Sequence, residues 1–240
     1  MNFPVRAITL DLDDTLWPFA PIGERAELAM HAWLETHCPR TAMRYPREAM
    51  QALRVRLNAE HPHAAHDFSR MRLLTLERAL DEAGDDPARA AEGFEVFFAA
   101  RNAVECYPDA IDALCRLAAR VPLLALSNGN TDLARTGLAE HFRGSLSASM
   151  HGTPKPDPSI FLAACEILDA RPAEVLHVGD DIELDVVGAA RAGLRTCWID
   201  RDGRDWPHAD PRPDLHFDTL TALADWLDAQ APRRPDTAAA

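Results

Sequence analysis

Short apolar, β-prone runs, each ending in a polar turn and handing over to a helix-period segment, constrain this chain most. After Pro108 they follow one another closely. "AIDALCRLAAR" has helical spacing, "VPLLALSNGN" is a buried strand ending in a turn, and "TDLARTGLAEHF" is helical again. "SLSASM" is a short strand, "DPSIFLAACEILDA" a helix, "EVLHVGDD" a strand, "ELDVVGAARAGL" a helix, "RTCWID" a strand and "LTALADWLDAQ" a final helix. Strands alternating with helices in this way form parallel βαβ units with helices on both faces. One more apolar run, Ala7, Ile8 and Leu10, stands alone near the N-terminus and predicts a strand of the same sheet. Between it and the later strands, residues 22–104 are helical almost throughout, with Pro46 and Pro87 near first-turn positions. The expected fold is therefore α/β: a Rossmann-like, doubly wound parallel sheet core built from residues 1–17 and 107–231. An all-helical cap is inserted at 18–106, and 232–240 is a flexible tail.

Composition narrows the partners. A 240-residue chain with a 47% apolar fraction has enough material for one large core or a core with a smaller insert. Its 25 basic and 38 acidic residues leave a net charge of −13, which disfavours nucleic acid and anionic membrane as partners. A phosphate-bearing substrate would need a locally positive pocket or a metal. "MNFPVRAITL" has no basic segment leading into an apolar one, and no run approaches a membrane span. Five cysteines, an odd number without metal-site spacing, suit reduced thiols. The expectation is a cytoplasmic monomer or homodimer acting on a small molecule.

In an open parallel sheet, ligands bind beyond the carboxyl ends of the strands. Asp11, Ser127 and Asp180 each follow an apolar strand run, so all three should meet on one edge. A turn explains any single aspartate there, and a helix N-terminus favours one acid. Asp11, Asp13, Asp180, Asp181 and Asp185 together would be destabilising without a cation, and hard oxygen ligands with open water positions suit Mg²⁺. Ser127 and the glycine turn after it can hold an anion. Lys155 stands between Pro154 and Pro156, whose rigid φ would fix its stem.

"DLDDT", Ser127, Lys155 and "GDDIELD", in that order, resemble the motifs of the haloacid dehalogenase-like superfamily of phosphohydrolases. That superfamily carries its first-type helical cap where this chain has its helical block. The resemblance implies that Asp11 is the nucleophile, forming an aspartyl-phosphate, and that Asp13 is the general acid/base, its proton affinity raised by neighbouring carboxylates. Thr15 would orient the loop at the substrate site. Ser127 would hold a phosphoryl oxygen, helped by Asn128, and Lys155 would neutralise charge between phosphate and Asp11. Asp11, the Asp13 backbone carbonyl and Asp180 would hold Mg²⁺, supported by Asp185. The dehalogenase branch lacks an acid two residues after the first aspartate, so Asp13 favours phosphate-ester hydrolysis. A phosphomutase, or a phosphatase of sugar phosphates or nucleotides, stays open. A receiver-like signalling domain is disfavoured by the Asp11/Asp13 spacing and the large insert, and a catalytically dead binding module by the full motif set.

The cap should choose the substrate. "HPHAAHDFSRMRLL" collects His61, His63, His66, Arg70 and Arg72, which a solvated loop and helix face would also explain. Three histidines at this spacing match no common closed metal site. "HDFSRMR", "SNGN" and "LHVGDDIELDVVGAARAGLRTCWI" are similar to bacterial flavin-pathway phosphatases of the YigB type. That similarity implies flavin mononucleotide (FMN), or the phosphorylated ribitylamino-uracil precursor of riboflavin, as substrate. Arg70 or Arg72 and Trp17 would face the leaving group as cation and stacking surface.

Overall fold

The computed structural model describes residues 3–230. The expected tail at 232–240 lies outside them. Strands β1 (Ala7–Leu10), β2 (Leu123–Ser127), β3 (Gly144–Ser147), β4 (Val175–Gly179), β5 (Arg195–Ile199) and β6 (Leu215–Phe217) form one sheet in the order β3-β2-β1-β4-β5-β6. Every neighbouring pair is parallel. The chain winds outward from β1 to β3, then returns to β4 and winds the other way. The reversal falls between β1 and β4, where the crevice of a doubly wound sheet opens.

Of the helices between β1 and β2, five form the insert: α1 (Phe19–His37), α2 (Pro39–Arg44), α3 (Arg47–Glu60), α4 (Phe68–Ala83) and α5 (Ala90–Asn102). Asp67 caps α4 by accepting from the Arg70 N–H, and Gly84, at φ 78°, ends it in the left-handed conformation. These helices share a hydrophobic cluster of their own, including Met30, Leu34, Leu57, Met71, Leu80 and Phe97. The remaining helices cover the sheet: α6 (Ala110–Ala118), α7 (Leu133–Thr136), α8 (Ala148–His151), α9 (Pro158–Leu168), α10 (Gly188–Arg191) and α11 (Leu220–Ala229).

The period-2 alternation of each strand sorts its side chains between two cores. Ile8, Leu10, Leu123, Ala125, Leu176 and Val178 meet α6 and α11. Ala7, Leu124, Leu126 and Val175 meet α9 on the other face. Both faces are therefore covered, as the apolar runs require, and the buried polar groups Thr9 Oγ1 and His177 Nδ1 pair with each other at 2.9 Å.

Local structure departs from the sequence expectation in four places. "TDLARTGLAEHF" holds only the short α7, because Gly137 takes φ 77° and stops it. "ELDVVGAARAGL" opens as a π-helical stretch over Ile182–Val187 before α10, with Asp181 accepting from the Glu183 and Leu184 N–H groups. The strand in "SLSASM" is β3, which gives way to α8 where the Ser147 side chain caps Met150. β6 and α2 are additional elements.

Candidate active site

The carboxyl ends of β1, β2 and β4 deliver the expected groups to one cavity of about 810 Å³, whose opposite wall is formed by the helical insert. Asp11, Asp13, Ser127, Asn128, Lys155, Asp180 and Asp185 all line it. At its floor the Lys155 ammonium lies between two carboxylates. Lys155 Nζ donates to Asp11 Oδ1 at 2.5 Å and to Asp185 Oδ1 at 2.6 Å. His177 Nε2 also meets Asp185 Oδ1, at 3.0 Å, while Asp185 Oδ2 accepts from the Asp181 N–H at 3.0 Å. This close approach needs a glycine at position 179, because any Cβ there would lie 2.3 Å from the Asp185 carboxyl.

The electrostatics follow from burial against charge. Burial pulls the Lys155 ammonium down, but Asp11 and Asp185 outweigh it and hold the lysine above its ordinary range. Burial works against the Asp185 anion too, yet Lys155 and His177 keep it ionised. Asp11 is raised well above the usual carboxylate range by burial, with Lys155 opposing and Asp185 adding to the rise. Asp180 is pushed up to about 7 by burial and by its acidic neighbours Asp185 and Asp14. One lysine thus serves too many acids. An oxygen of each of Asp11, Asp180 and Asp185 lies within 4.8 Å of the others, a hard-oxygen set that suits a divalent cation.

Asp13 is raised by burial, against the pull of Arg101 and Trp17, and Asp14 adds a smaller push. The direction matches expectation. The main cause is desolvation and not repulsion among carboxylates.

Of the residues named for the substrate site, Thr15, Trp17 and Arg70 do not line this cavity. Thr15 is fully buried and does not line the cavity; its hydroxyl lies 3.3 Å from both Asp11 Oδ2 and Asp180 Oδ1, bridging the two loops. Trp17 is fully buried in the sheet core and offers no stacking surface. Asp14, at φ 60°, donates its N–H to the Trp17 carbonyl at 2.7 Å, which turns the chain back and points the indole inward. The indole Nε1 then donates to Asp13 Oδ1 at 2.8 Å. Arg70 is exposed and does not line the cavity. Two positions on a helix are about 200° apart, so Arg70 and Arg72 cannot share a face.

Arg72 does reach the cavity. It lies over the Phe97 ring at 3.7 Å and donates to Glu27 Oε1 at 2.8 Å, the oxygen that Arg54 also reaches at 2.8 Å. Asn128 both accepts from Lys155 N–H at 2.7 Å and donates to the Lys155 carbonyl at 2.9 Å. The lysine's stem is therefore held by this amide as well as by its flanking prolines. Ser127 Oγ accepts from the Gly129 N–H at 2.9 Å. Arg101, from the end of α5, is a cavity residue that sequence reasoning missed.

The haloacid dehalogenase-like hydrolase family model matches residues 5–193. The chain belongs to that family. Among curated members, it is 34% identical over 200 residues to the 5-amino-6-(5-phospho-D-ribitylamino)uracil phosphatase YigB of Escherichia coli, covering 81% of this chain and 83% of that one. It is 34% identical over 233 residues to a phosphoserine phosphatase of Thermus thermophilus, covering 86% and 94%. A solved structure described as a 2-haloacid dehalogenase from Pseudomonas syringae superposes with a TM-score of 0.88 at 37% identity, over 95% of this chain and 100% of that one. With its phosphatase relatives, the chain is a phosphoric monoester hydrolase of the family. Among the described residues, no helix is long and apolar enough to cross a membrane.

Proposed function

We propose that this family member hydrolyses a small phosphate monoester with Mg²⁺, through a phosphorylated Asp11. The observation that carries this reading is Asp13, which faces the same cavity as Asp11 and has burial-raised proton affinity. A halide leaves without a proton, whereas an alkoxide does not, so a dehalogenase has no use for such an acid.

In the first step an Asp11 carboxylate oxygen attacks phosphorus in line. The electron pair of the ester P–O bond passes to the leaving oxygen, which takes the Asp13 proton and departs as the alcohol. In the second, water attacks the aspartyl-phosphate and gives a proton back to Asp13. Inorganic phosphate forms, and Asp11 leaves as a carboxylate. Lys155 balances charge beside Asp11, and Ser127 Oγ with the following backbone holds a phosphoryl oxygen. Asp11 and Asp180 would hold Mg²⁺, which supplies positive charge at the phosphoryl group. Both Asp185 oxygens are already engaged by Lys155, His177 and the Asp181 N–H, so it braces the site.

The helical insert acts as a cap over the leaving group. Phe19, Phe68, Phe97 and Arg72 on the cavity wall suit a planar, polar-edged group. Together with the likeness to YigB this supports FMN or the phosphorylated ribitylamino-uracil as substrate. A screen of phosphate esters with purified protein, with Mg²⁺ and with chelator, tests the proposal. Turnover of flavin-type esters that stops in chelator supports it. Turnover of 2-haloacids without phosphatase activity would overturn it.

A further inference from the structure

Arg101 is the penultimate residue of α5, yet its side chain ends in the core's catalytic loops and is only 3% exposed. Nη2 donates to Asp13 Oδ2 at 2.5 Å and to Thr131 Oγ1 at 2.9 Å. The guanidinium carbon lies 5.2 Å from the centre of the Phe19 ring. The next residue, Asn102, is also buried, and its Oδ1 accepts from the Asp132 N–H at 2.8 Å. The end of the insert's last helix is thus latched to the loop after β2 by two consecutive side chains.

Gly129 marks where these groups converge. A Cβ there would lie 2.9 Å from Asp13 Oδ2, 3.2 Å from Ser127 Oγ and 3.3 Å from Arg101 Nη2. Asp13 Oδ2 and the hydroxyl assigned to the phosphoryl group therefore border the same glycine. The other Asp13 oxygen is taken by the Trp17 indole at 2.8 Å. A donor on each oxygen stops the carboxyl from rotating. Trp17 is part of the core and always present; Arg101 comes from the insert. An exposed ion pair would contribute little, but here the guanidinium is buried, the Asp13 side chain is only 21% exposed, and donors on both carboxyl oxygens fix the geometry.

We propose that Arg101 is a positioning residue for Asp13, so that the insert completes the proton-transfer geometry of the core as well as enclosing the substrate. The inference rests on the phosphatase reading above. As the ester P–O bond breaks, the Asp13 proton passes to the leaving oxygen and Asp13 becomes an anion. Arg101 and Trp17 hold that anion in place until water returns the proton.

The test compares leaving groups. Nitrophenolate departs from p-nitrophenyl phosphate with little need of a proton, whereas the alkoxide of glycerol phosphate needs one. The ratio kcat/KM reports only the steps through alcohol release. Arg101→Met should lower kcat/KM for glycerol phosphate by about 10- to 100-fold, and by about tenfold less for p-nitrophenyl phosphate. Arg101→Lys should show the same selectivity with a smaller loss, and serves if the methionine variant does not fold. Guanidinium added to Arg101→Ala should recover the alkyl ester preferentially. Equal losses for both esters would mean that Arg101 only supports the fold, and no loss for either would mean that Asp13 does not need it; both overturn the inference. Wild-type protein inactive on both esters with Mg²⁺ would instead count against the phosphatase reading itself.

Discussion

Replacing Lys155 by methionine keeps its length and removes the only ammonium between two buried carboxylates. The lysine, Asp11 and Asp185 side chains are 2%, 10% and 1% exposed. Breaking a buried pair of this kind costs about 3–5 kcal/mol, because the remaining charge stays out of water. The losses are unequal. Asp185 keeps His177 and the Asp181 N–H, whereas Asp11 keeps only the Thr15 hydroxyl at 3.3 Å. Asp11, already raised by burial, can escape by taking a proton, and at neutral pH this costs about 1.4 kcal/mol for each unit above the solution carboxylate pKa. That caps the loss at about 4 kcal/mol. A raised folded-state pKa gives a contribution present at low pH and lost as pH rises, so the variant should be penalised most in alkali. Urea unfolding in chelator near pH 7.5 should show the variant about 3–4 kcal/mol less stable than wild type, with the gap narrowing by about 2 kcal/mol near pH 5.5. A loss below about 1 kcal/mol, or a gap independent of pH, would refute the charge balance drawn here.

Asp180, raised to about 7, should lose stability for the metal-free protein as pH rises through that value, and Mg²⁺ should restore it; thermal melts with and without chelator near pH 6 and pH 8 would show whether the ion's benefit grows with pH. Gly129→Ala places a methyl 2.9 Å from Asp13 Oδ2 at a residue of ordinary φ, so the protein should fold while kcat/KM for any phosphate ester falls at least tenfold; unchanged kinetics would mean that the space beside Gly129 is not used. Arg72→Ala removes a charge-assisted contact worth about 1.5–3 kcal/mol and should cost FMN about ten- to a hundredfold in kcat/KM and p-nitrophenyl phosphate much less. Arg70→Ala, on the exposed face, should change neither, and an effect equal to that of Arg72→Ala would contradict the placement of α4 over the cavity.

The long-range plan of the protein was legible because it depends on runs of residues. β1, β2, β4 and β5 are buried on both faces, so apolar residues dominate their runs and even Thr9, His177 and Thr196 within them are buried. The edge strand β6 has only three residues set among charges, too few to show a period. Asp11, Ser127 and Asp180 were legible because a strand's end fixes where the next polar group goes. The likeness to YigB-type phosphatases puts Trp17 at the leaving group, but a tight turn at Asp14 reverses the chain and points the indole inward. Helical geometry alone separates Arg70 from Arg72. Arg101 carried no local mark: it is one basic residue of a helix end, and its partner Asp13 lies 88 positions away.

The central claim is that Asp11 becomes covalently phosphorylated. Mixing the Asp13→Asn variant with Mg²⁺ and a ³²P-labelled ester, quenching in acid and mapping the labelled peptide reads this directly, since the variant should slow release of the phosphoryl group from the enzyme. The account predicts acid-stable, hydroxylamine-sensitive label on the peptide that contains Asp11, formed as fast as alcohol is released. Alcohol release with no label on that peptide at any time would contradict it.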